Sequence, residues 1–334
     1  MQRFPKLSFA AVIVVWASAF SVIKALLDQG IGAEQIALAR YLIAAPGFVF
    51  LLWRAGGLPG LNRGDAMRVL VAGIVIVAGY HLSLNLGEQS TSSGIAALIV
   101  ALSPALTMAL AIAFGLERFS VRVAFGLAVA FAGVVVVVGL GSGEELSLDG
   151  IKGPLIVVGA PLSFALYNVL LKPLFARYDL LALTAATSLI GTTGLLPIVA
   201  SSDVSGATSL SVGDLALILY LGIFSTLLGY VAWNIGLRAF EPTRAVTATY
   251  AIPALAVVFG AVTLEEPVTA WIAAGGLLIV GGVALASFRG VGRGHGVRGL
   301  VRLGGRRSED APRAPAAEPT SRATTCSRLP PPPA

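Results

Sequence analysis

Ten long apolar stretches of this 334-residue sequence contain a few polar and aromatic side chains that could bind a small molecule. An amide buried in hydrocarbon without a hydrogen bond is costly, so each asparagine needs either a neighbouring helix or a polar cavity. Tyrosine and tryptophan near the end of such a stretch are also common anchors at a membrane interface. The candidates for lining a cavity are Trp16, Tyr80, Asn85, Tyr167, Asn168, Trp233, Asn234 and Tyr250.

Three of the ionisable residues in or beside these stretches, Arg40, His81 and Glu88, need an explanation. Arg40 lies about seven residues into the second one, roughly 10 Å along a helix, where a charged side chain costs about 2.5–3.5 kcal/mol. It either extends to the outer headgroups or anchors a carboxylate of a ligand, or a partner on a neighbouring helix. Histidine is the side chain whose ordinary pKa lies nearest neutral pH, so His81 is a candidate for proton coupling, unless it is an interfacial histidine near the outer end. Glu88 is expected to end its helix in water.

Pro104 and Pro253 lie mid-helix in the fourth and ninth stretches. Proline removes one helical hydrogen bond and disturbs the carbonyl four residues earlier, which here belongs to Val100 and Thr249. In lipid, such a carbonyl must find protein or water. The two prolines therefore predict helix breaks or hinges, either beside a water-filled cavity or as kinks that serve packing.

The sequence contains no set of residues that an enzyme needs. Its two histidines, His81 and His295, are far apart, no Gly-x-Ser-x-Gly motif occurs, and the one cysteine, Cys326, lies near the C-terminus. Neither a metal-ligand spacing nor a nucleotide-binding motif is present. We therefore predict no catalytic residues, no metal and no cofactor. Any coupling must use an ion gradient, for which protons are the candidate.

The composition indicates that the apolar stretches are transmembrane helices. Apolar residues make up 56% of the chain and charged residues 12%, and the mean hydropathy is +0.87. A water-soluble domain carries about twice that charged fraction. A helix needs about 20 mostly apolar residues to cross the hydrocarbon. The stretches that meet this length span residues 7–27, 33–53, 66–87, 92–114, 120–140, 151–172, 180–200, 212–236, 243–263 and 268–288.

The second half of the sequence repeats the first at a spacing of 148 or 149 residues. The matched pairs are Lys24 and Lys172, Asn85 and Asn234, Pro104 and Pro253, Glu117 and Glu266, and Gly133 and Gly282. Because the spacing covers five helices, the second copy must be inverted. The sequence thus predicts an all-α membrane protein of ten transmembrane helices, built from one five-helix repeat at residues 1–140 and an inverted one at 141–288. Inverted repeats are typical of secondary transporters that work by alternating access, although an ancestral duplication that serves only packing has the same pattern.

The placement of lysine and arginine predicts the orientation in the membrane. They are concentrated at the N-terminus, in the even-numbered connections and in the tail, whereas the odd-numbered connections contain only Lys152. By the positive-inside rule, both termini are cytoplasmic in the inner membrane, and the lipid bilayer is a partner. Residues 289–334 contain nine arginines against Glu309, Asp310 and Glu318, a net charge of +6. This Pro-, Gly- and Arg-rich tail is predicted to be disordered beside the anionic membrane surface, and its charge does not indicate nucleic acid as a partner.

The order of motifs resembles the EamA-type ten-helix members of the drug/metabolite transporter superfamily. The matching residues are 16–24, 39–45, 91–98, 104 and 115–118 in the first half, and 233–238, 243–245, 253, 264–267 and 281–282 in the second. No single motif is specific, but ten of them in this order and spacing are. The resemblance implies a transporter that exports a small metabolite, such as an amino acid or a derivative, through a central cavity between the halves. A channel, or a scaffold that does not transport, is the alternative for the same helix bundle. The position that matches Arg40 in the second copy is Ser188, so any role of Arg40 is not duplicated.

Overall fold

The structure, a computed structural model, describes residues 3–141, 148–202, 210–239 and 249–287. The chain divides into a helical unit, Met1–Phe288, and the segment Arg289–Ala334, which lies outside the described residues together with the predictions made for it. The helices of the first unit are α1 (Arg3–Asp28), α2 (Ala33–Arg54), α3 (Arg63–Glu88), α4 (Ser93–Ala113), α5 (Val121–Leu140), α6 (Gly150–Leu171), α7 (Leu180–Ala200), α8 (Val212–Ile235), α9 (Ala251–Thr263) and α10 (Ala270–Ser287).

These helices confirm the prediction of an all-helical membrane protein. Within the described residues, nine of them are long and apolar enough to cross a membrane. The remaining one, α9, is apolar but has only 13 residues, and it follows a part of the chain that the structure does not describe. The bounds differ from the predicted ones by a few residues; the stretch predicted at 66–87, for example, is helical over Arg63–Glu88.

Side chains in the short connections fix where several helices begin. Ser92 accepts a hydrogen bond from the N–H of Ile95 at the start of α4. A capping box starts α8: the Ser211 hydroxyl accepts a hydrogen bond from the N–H of Asp214, and the Asp214 carboxylate accepts one from the N–H of Ser211. Asp179 accepts hydrogen bonds from the first turn of α7. Each such cap contributes about 1 kcal/mol, so polar connections determine the register at which the apolar helices start.

Within the described residues, π-helical segments occur in two helices. These segments are Val75–Tyr80 in α3 and Leu221–Leu228 in α8, and they overlap when the 149-residue spacing of the repeat is applied. A π-helical turn widens the helix and changes the direction of the side chains that follow it, and such turns are frequent at functional sites. Both segments therefore mark the part of the molecule in which to look for a binding site.

Turns precede both of the predicted mid-helix prolines. In α4 the helix is interrupted at residues 101–102, directly before Pro104. A turn at Tyr250 precedes Pro253 in the same way at the start of α9. The missing N–H of proline accounts for an interruption at these positions. Whether the turns act as hinges stays a prediction.

Helices α5 and α10 pack through glycine. A Cβ atom added to Gly126 would come within 2.6 Å of the carbonyl oxygen of Gly282, and one added to Gly133 would come within 2.7 Å of that of Gly275. The residue number on α10 falls as that on α5 rises, so the two helices cross antiparallel. Small residues allow this close approach of backbones in a membrane. The 149-residue spacing relates Gly126 to Gly275 and Gly133 to Gly282, so each glycine contacts the counterpart of the other.

The remaining helices pack against one another around an apolar core. Helix α1 packs against α8 and α9, and α6 packs against α3 and α4. Helix α2 lies against α7 and against the π-helical segment of α8. The apolar core that holds these helices together is formed largely by buried alanine, leucine and isoleucine side chains. Helices α1, α2, α3 and α8 therefore meet on their inner faces.

Ion pairs link distant parts of the chain at the end of the molecule where α3 and α7 begin. Arg177 forms a bidentate pair with the buried carboxylate of Asp65, with N–O distances of 2.7 and 2.8 Å. Lys172 pairs with Glu117 at 2.9 Å. Each pair connects a residue of the first predicted repeat to one of the second, so both contribute to closing this end.

Candidate functional site

A cluster of polar and aromatic side chains lies where α1, α2, α3 and α8 meet. This central cluster consists of Trp16, Arg40, Tyr41, His81, Ser225, Thr226, Tyr230 and Trp233. It contains predicted site residues from four helices that are far apart in sequence. The π-helical segment of α8 contributes the two hydroxyl residues, which face α2.

Arg40 is buried, with 4% of its surface exposed, and its side chain crosses from α2 to α8. Its Nε donates a hydrogen bond to Thr226 Oγ1 at 2.9 Å, and its Nη2 donates one to Ser225 Oγ at 3.0 Å. The guanidinium therefore points to α8 and not to the headgroups. No acidic side chain of the described residues lies within 4 Å of it. A buried cation thus lies beside neutral hydroxyls without a counter-ion.

Tyr41 connects three helices through its hydroxyl. This hydroxyl lies 2.9 Å from His81 Nε2 on α3 and 3.1 Å from the hydroxyl of Tyr230 on α8. The rings of Tyr41 and His81 also meet edge to face, with centroids 5.1 Å apart. His81 is buried, which is not the environment of an interfacial histidine. Its Nδ1 has no hydrogen-bond partner in the part of the chain that the structure describes.

Trp16, Tyr230 and Trp233 form an aromatic wall on the α1 side of the cluster. The ring centroid of Trp16 lies 5.4 Å from that of Trp233 and 6.2 Å from that of Tyr230. Trp16 Nε1 donates a hydrogen bond to the carbonyl oxygen of Ser225 at 3.0 Å, which fixes the indole against the π-helical segment. Gly229 makes room for this approach, because a Cβ atom there would lie 2.7 Å from Trp16 Nε1. Such π faces can bind an apolar side chain or an ammonium group.

A row of rings extends from the central cluster to α6. Tyr80 packs against His81 with 4.9 Å between centroids, and Phe164 lies 6.4 Å from Tyr80 and 6.5 Å from Tyr167. The predicted residues Tyr80 and Tyr167 are therefore joined to the cluster through ring contacts. The row links α3 to α6, which is the counterpart of α1 in the predicted repeat.

The three predicted asparagines have different partners. Asn85 Nδ2 donates a hydrogen bond to the carbonyl of Ala33 at 2.8 Å and so joins α3 to the start of α2. Asn168 and Asn234 each donate to the carbonyl four residues earlier in their own helix, at 2.7 Å. The Oδ1 atoms of Asn85 and Asn234 are buried and have no partner among the described residues. Asn85 therefore connects helices, whereas the amides of the other two donate within their own helices.

Eight predicted residues lie outside the central cluster: the two tyrosines and three asparagines described above, and Pro104, Pro253 and Tyr250. Pro104 and Pro253 follow the two turns of α4 and α9, and Tyr250 forms the second of these turns and packs against the apolar core. Their contacts do not include Arg40 or the aromatic wall within the described residues.

The predicted site residues did not include four members of the cluster, namely Tyr41, Ser225, Thr226 and Tyr230. The position of Tyr41 could have identified it as a site residue, because a tyrosine directly after a membrane arginine is too far from the helix end to be an interface anchor. Nothing in the sequence distinguished Ser225 and Thr226. Hydroxyl residues are common in membrane helices because they can bond to the preceding turn, as Thr226 does to the carbonyl of Leu221. Only the packing of α2 against α8 reveals their second role.

The prediction that Glu88 ends α3 in water is wrong. Its side chain is fully buried, with 0% of the residue exposed. The preceding residue, Gly87, packs so closely on α6 that an added Cβ atom would lie 2.8 Å from the carbonyl oxygen of Gly153. Because neighbouring helices cover this end of α3, a position at the end of a helix did not imply exposure.

The fold and the central cluster define a polytopic membrane protein with a polar site among its helices. The model of the EamA-like transporter family matches residues 5–139 and, a second time, residues 151–288. The chain therefore belongs to the EamA-like transporter family. This assignment confirms the resemblance seen in the sequence, and it confirms the prediction of a transporter and not an enzyme.

Curated relatives and a solved structure resemble nearly the whole helical unit. An uncharacterized transporter of Archaeoglobus fulgidus is 32% identical and covers 81% of this chain and 95% of its own. A probable terminal-alkyne amino-acid exporter of Streptantibioticus cattleyicolor is 30% identical, with 84% and 92% covered. A probable amino-acid metabolite efflux pump of Salmonella typhimurium is 27% identical, with 88% and 96% covered. One crystal structure, 20% identical, shares the fold with a TM-score of 0.59 over 86% of this chain and 97% of its own.

Proposed function

We propose that this protein is a secondary transporter that exports a small metabolite with a carboxylate group, an amino acid or a derivative, by alternating access. The observation that carries the proposal is the buried guanidinium of Arg40, which faces hydroxyls of α8 and has no acidic partner within 4 Å among the described residues. The protein acts in the inner membrane with both termini in the cytoplasm.

The environment of Arg40 favours a carboxylate as the group that is recognised. A buried charge without a partner is strongly unfavourable, so an anionic group that enters the cluster gains a charge-assisted interaction. Arginine presents its N–H donors in a planar fork that fits the two oxygens of a carboxylate. The neutral hydroxyls of Ser225 and Thr226 orient the fork without neutralising it.

The aromatic wall suits the rest of such a substrate. Trp16, Tyr230 and Trp233 offer π faces that can pack on an apolar side chain or attract an ammonium group. Two of the relatives, whose names describe an amino-acid exporter and an amino-acid metabolite efflux pump, support this class of substrate.

Alternating access is supported by the arrangement of the two predicted copies, residues 1–140 and 141–288. The glycine contacts of α5 and α10 relate equivalent residues in an antiparallel crossing, as expected for inverted copies. The π-helical segments of α3 and α8 overlap in the repeat, and so do the turns before Pro104 and Pro253. Irregular helices of this kind allow one copy to rock against the other around a fixed site. The ion pairs of Asp65 and Glu117 then open when the cytoplasmic end opens.

A reconstituted transport assay with matched substrates tests the proposal. Proteoliposomes are assayed with a panel of amino acids, their decarboxylated amines and their amides. We expect saturable transport of compounds that retain the carboxylate. Arg40→Gln should weaken the apparent affinity by about 2–5 kcal/mol, which is a rise in KM of about 30-fold or more. Arg40→Lys should also fail, because a point charge cannot replace the planar fork.

Arg54→Gln is the matched control, because Arg54 lies on the same helix but is exposed at its end. Its transport should equal that of the wild type. Equal transport of a carboxylate substrate by wild type and Arg40→Gln would remove the basis of the proposal. Flux that does not saturate would indicate a channel, and the absence of flux for every compound would indicate a scaffold.

A further inference from the structure

Three polar side chains form a row along one face of α3. His81, Asn85 and Glu88 are spaced by four and three residues within the regular helix His81–Glu88, so they lie within an arc of about 60° and over about 10 Å. All three are buried. Each has polar atoms without a hydrogen-bond partner in the described chain, namely His81 Nδ1, Asn85 Oδ1 and both carboxylate oxygens of Glu88.

This row connects the central cluster to one end of the molecule. Its inner member, His81, is hydrogen-bonded to Tyr41 through Nε2, which leaves Nδ1 as the ring nitrogen without a partner in the described chain. Its outer member, Glu88, directly precedes the connection between α3 and α4, which the charge pattern predicts to be extracytoplasmic. A buried polar atom in a native protein that lacks a protein partner usually has water or a functional role.

Among the described residues, no cation pairs with Glu88. The charged groups that act on it from the elements packed around it are Lys24 and Asp28 of α1, Arg40 of α2 and Glu266 before α10. Lys24 is paired with Asp28 at 2.9 Å, and no described cation lies within 4 Å of a Glu88 oxygen. On α6, which covers this end of α3, Lys152 is exposed. The carboxylate of Glu266 already caps α4 through the N–H of Ser93 at 2.7 Å.

We propose that Glu88 is the proton-binding carboxylate of a proton/substrate antiporter, and that Asn85 and His81 form the path between it and the central cluster. The proposal rests on the proposed transport function and adds the site of its coupling ion. Burying an ionised carboxylate with neither a donor nor a counter-ion is far more costly than burying the neutral acid. The outer end therefore closes over Glu88 only when it carries a proton.

In each transport cycle, a proton moves inward across the membrane while the substrate moves outward. When the outer end is open, a hydronium ion gives its proton to a carboxylate oxygen of Glu88, which forms an O–H bond and leaves a water molecule. When the inner end opens, that O–H bond breaks and water held by Asn85 carries the proton to Nδ1 of His81. The ionised Glu88 that remains then favours reopening of the outer end. The proton leaves to cytoplasmic water when the inner end opens, and Glu88 is again ionised before the next outward opening.

Glu88→Gln is the decisive variant, because glutamine has the shape of the protonated acid but cannot release a proton. In proteoliposomes of the wild type, a gradient of one pH unit should sustain about a tenfold substrate ratio for one proton per substrate. In Glu88→Gln this ratio should fall to one, whereas exchange of labelled for unlabelled substrate continues. Glu34→Gln, which removes a partly exposed carboxylate from α2, should keep the wild-type ratio.

Infrared difference spectroscopy of the reconstituted protein detects protonation of a carboxyl group directly and needs no substrate. A carbonyl band of a protonated carboxylic acid should titrate in the wild type and in Glu34→Gln and be absent in Glu88→Gln. An unchanged band in Glu88→Gln, or uphill transport by that variant, would overturn the proposal. A wild type that moves no compound of the panel would refute the transport function, and the infrared titration would still decide whether Glu88 binds a proton.

Discussion

The hydroxyl of Tyr41 is the point at which α2, α3 and α8 are joined by hydrogen bonds. It is fully buried and lies 2.9 Å from His81 Nε2 and 3.1 Å from the hydroxyl of Tyr230. Tyr41→Phe keeps the ring but removes the hydroxyl, so that His81 and Tyr230 each lose a hydrogen-bond partner in a buried site. Leaving a buried polar group unsatisfied costs about 1–3 kcal/mol. We expect a lower free energy of unfolding by that amount, measured by denaturation in detergent.

Thr193→Val is a suitable control for Tyr41→Phe. Thr193 is exposed, and its hydroxyl bonds to the carbonyl of Ile190 in its own helix. Its loss should change stability by no more than about 0.5 kcal/mol. Equal stability of Tyr41→Phe and Thr193→Val would mean that the hydroxyl of Tyr41 does not join the three helices.

The sequence indicated which residues of the cluster were unusual but not what they contact. Arg40 was a candidate because a charge inside an apolar helix is costly wherever it points. The choice between headgroups and a site depended on Ser225 and Thr226, which are 185 and 186 residues away. Glu88 was misjudged for the same reason, since its burial depends on neighbouring helices and leaves no mark in the sequence of α3 itself.

At the scale of elements, the crossing of α5 and α10 depends on glycines that cannot carry a side chain. Gly282→Ala would place a Cβ atom 2.6 Å from the carbonyl oxygen of Gly126, which is backbone and cannot move alone. We expect the helices to separate, at a cost of about 1–3 kcal/mol. Thermal unfolding in detergent measures this loss.

The neighbouring Gly281 provides the matched control. A Cβ atom there meets nothing within 4 Å, and alanine favours a helix over glycine by up to about 1 kcal/mol. Gly281→Ala should therefore leave stability unchanged or raise it. If both alanine variants unfold at the same temperature, the close crossing does not hold the two helices together.

The turns before Pro104 and Pro253 allow a test of whether α4 and α9 bend during transport. Pro104→Ala and Pro253→Ala restore a helical N–H, so folding should be unaffected or improved. Transport should fall on the order of tenfold, the effect of raising a barrier by about 1.4 kcal/mol. Pro46→Ala is the control, because α2 continues through Pro46 without a turn. Normal flux in both of the first two variants would exclude a hinge at these positions.

The sequence predicted the helices well and their irregularities only in part. Helix bounds such as Ala33–Arg54 followed from length, hydropathy and turn residues, because lipid imposes the same requirement on every spanning helix. The breaks near Pro104 and Pro253 followed from the missing proline N–H. The π-helical segments Val75–Tyr80 and Leu221–Leu228 contain no proline, so their sequences gave no comparable local signal.

For the whole molecule, the proposed inversion of the two copies has a direct topological consequence. Phe119 and Val268 are equivalent in the repeat, and both are exposed. Inverted copies put Phe119 in the cytoplasm and Val268 outside. With Cys326→Ser as the background, an impermeant thiol reagent added to intact cells should label Val268→Cys only. Labelling of Phe119→Cys and Val268→Cys from the same side would mean that the copies insert in the same sense.

In the proposed transport cycle, one site around Arg40 is exposed to each side of the membrane in turn. The most direct test is the exchange of labelled substrate in proteoliposomes against unlabelled substrate on the opposite side, for the best carboxylate of the panel. We predict that substrate on the far side accelerates the release of label, because a loaded site returns faster than an empty one. Release at the same rate with and without substrate on the far side, together with flux that never saturates, would contradict the account.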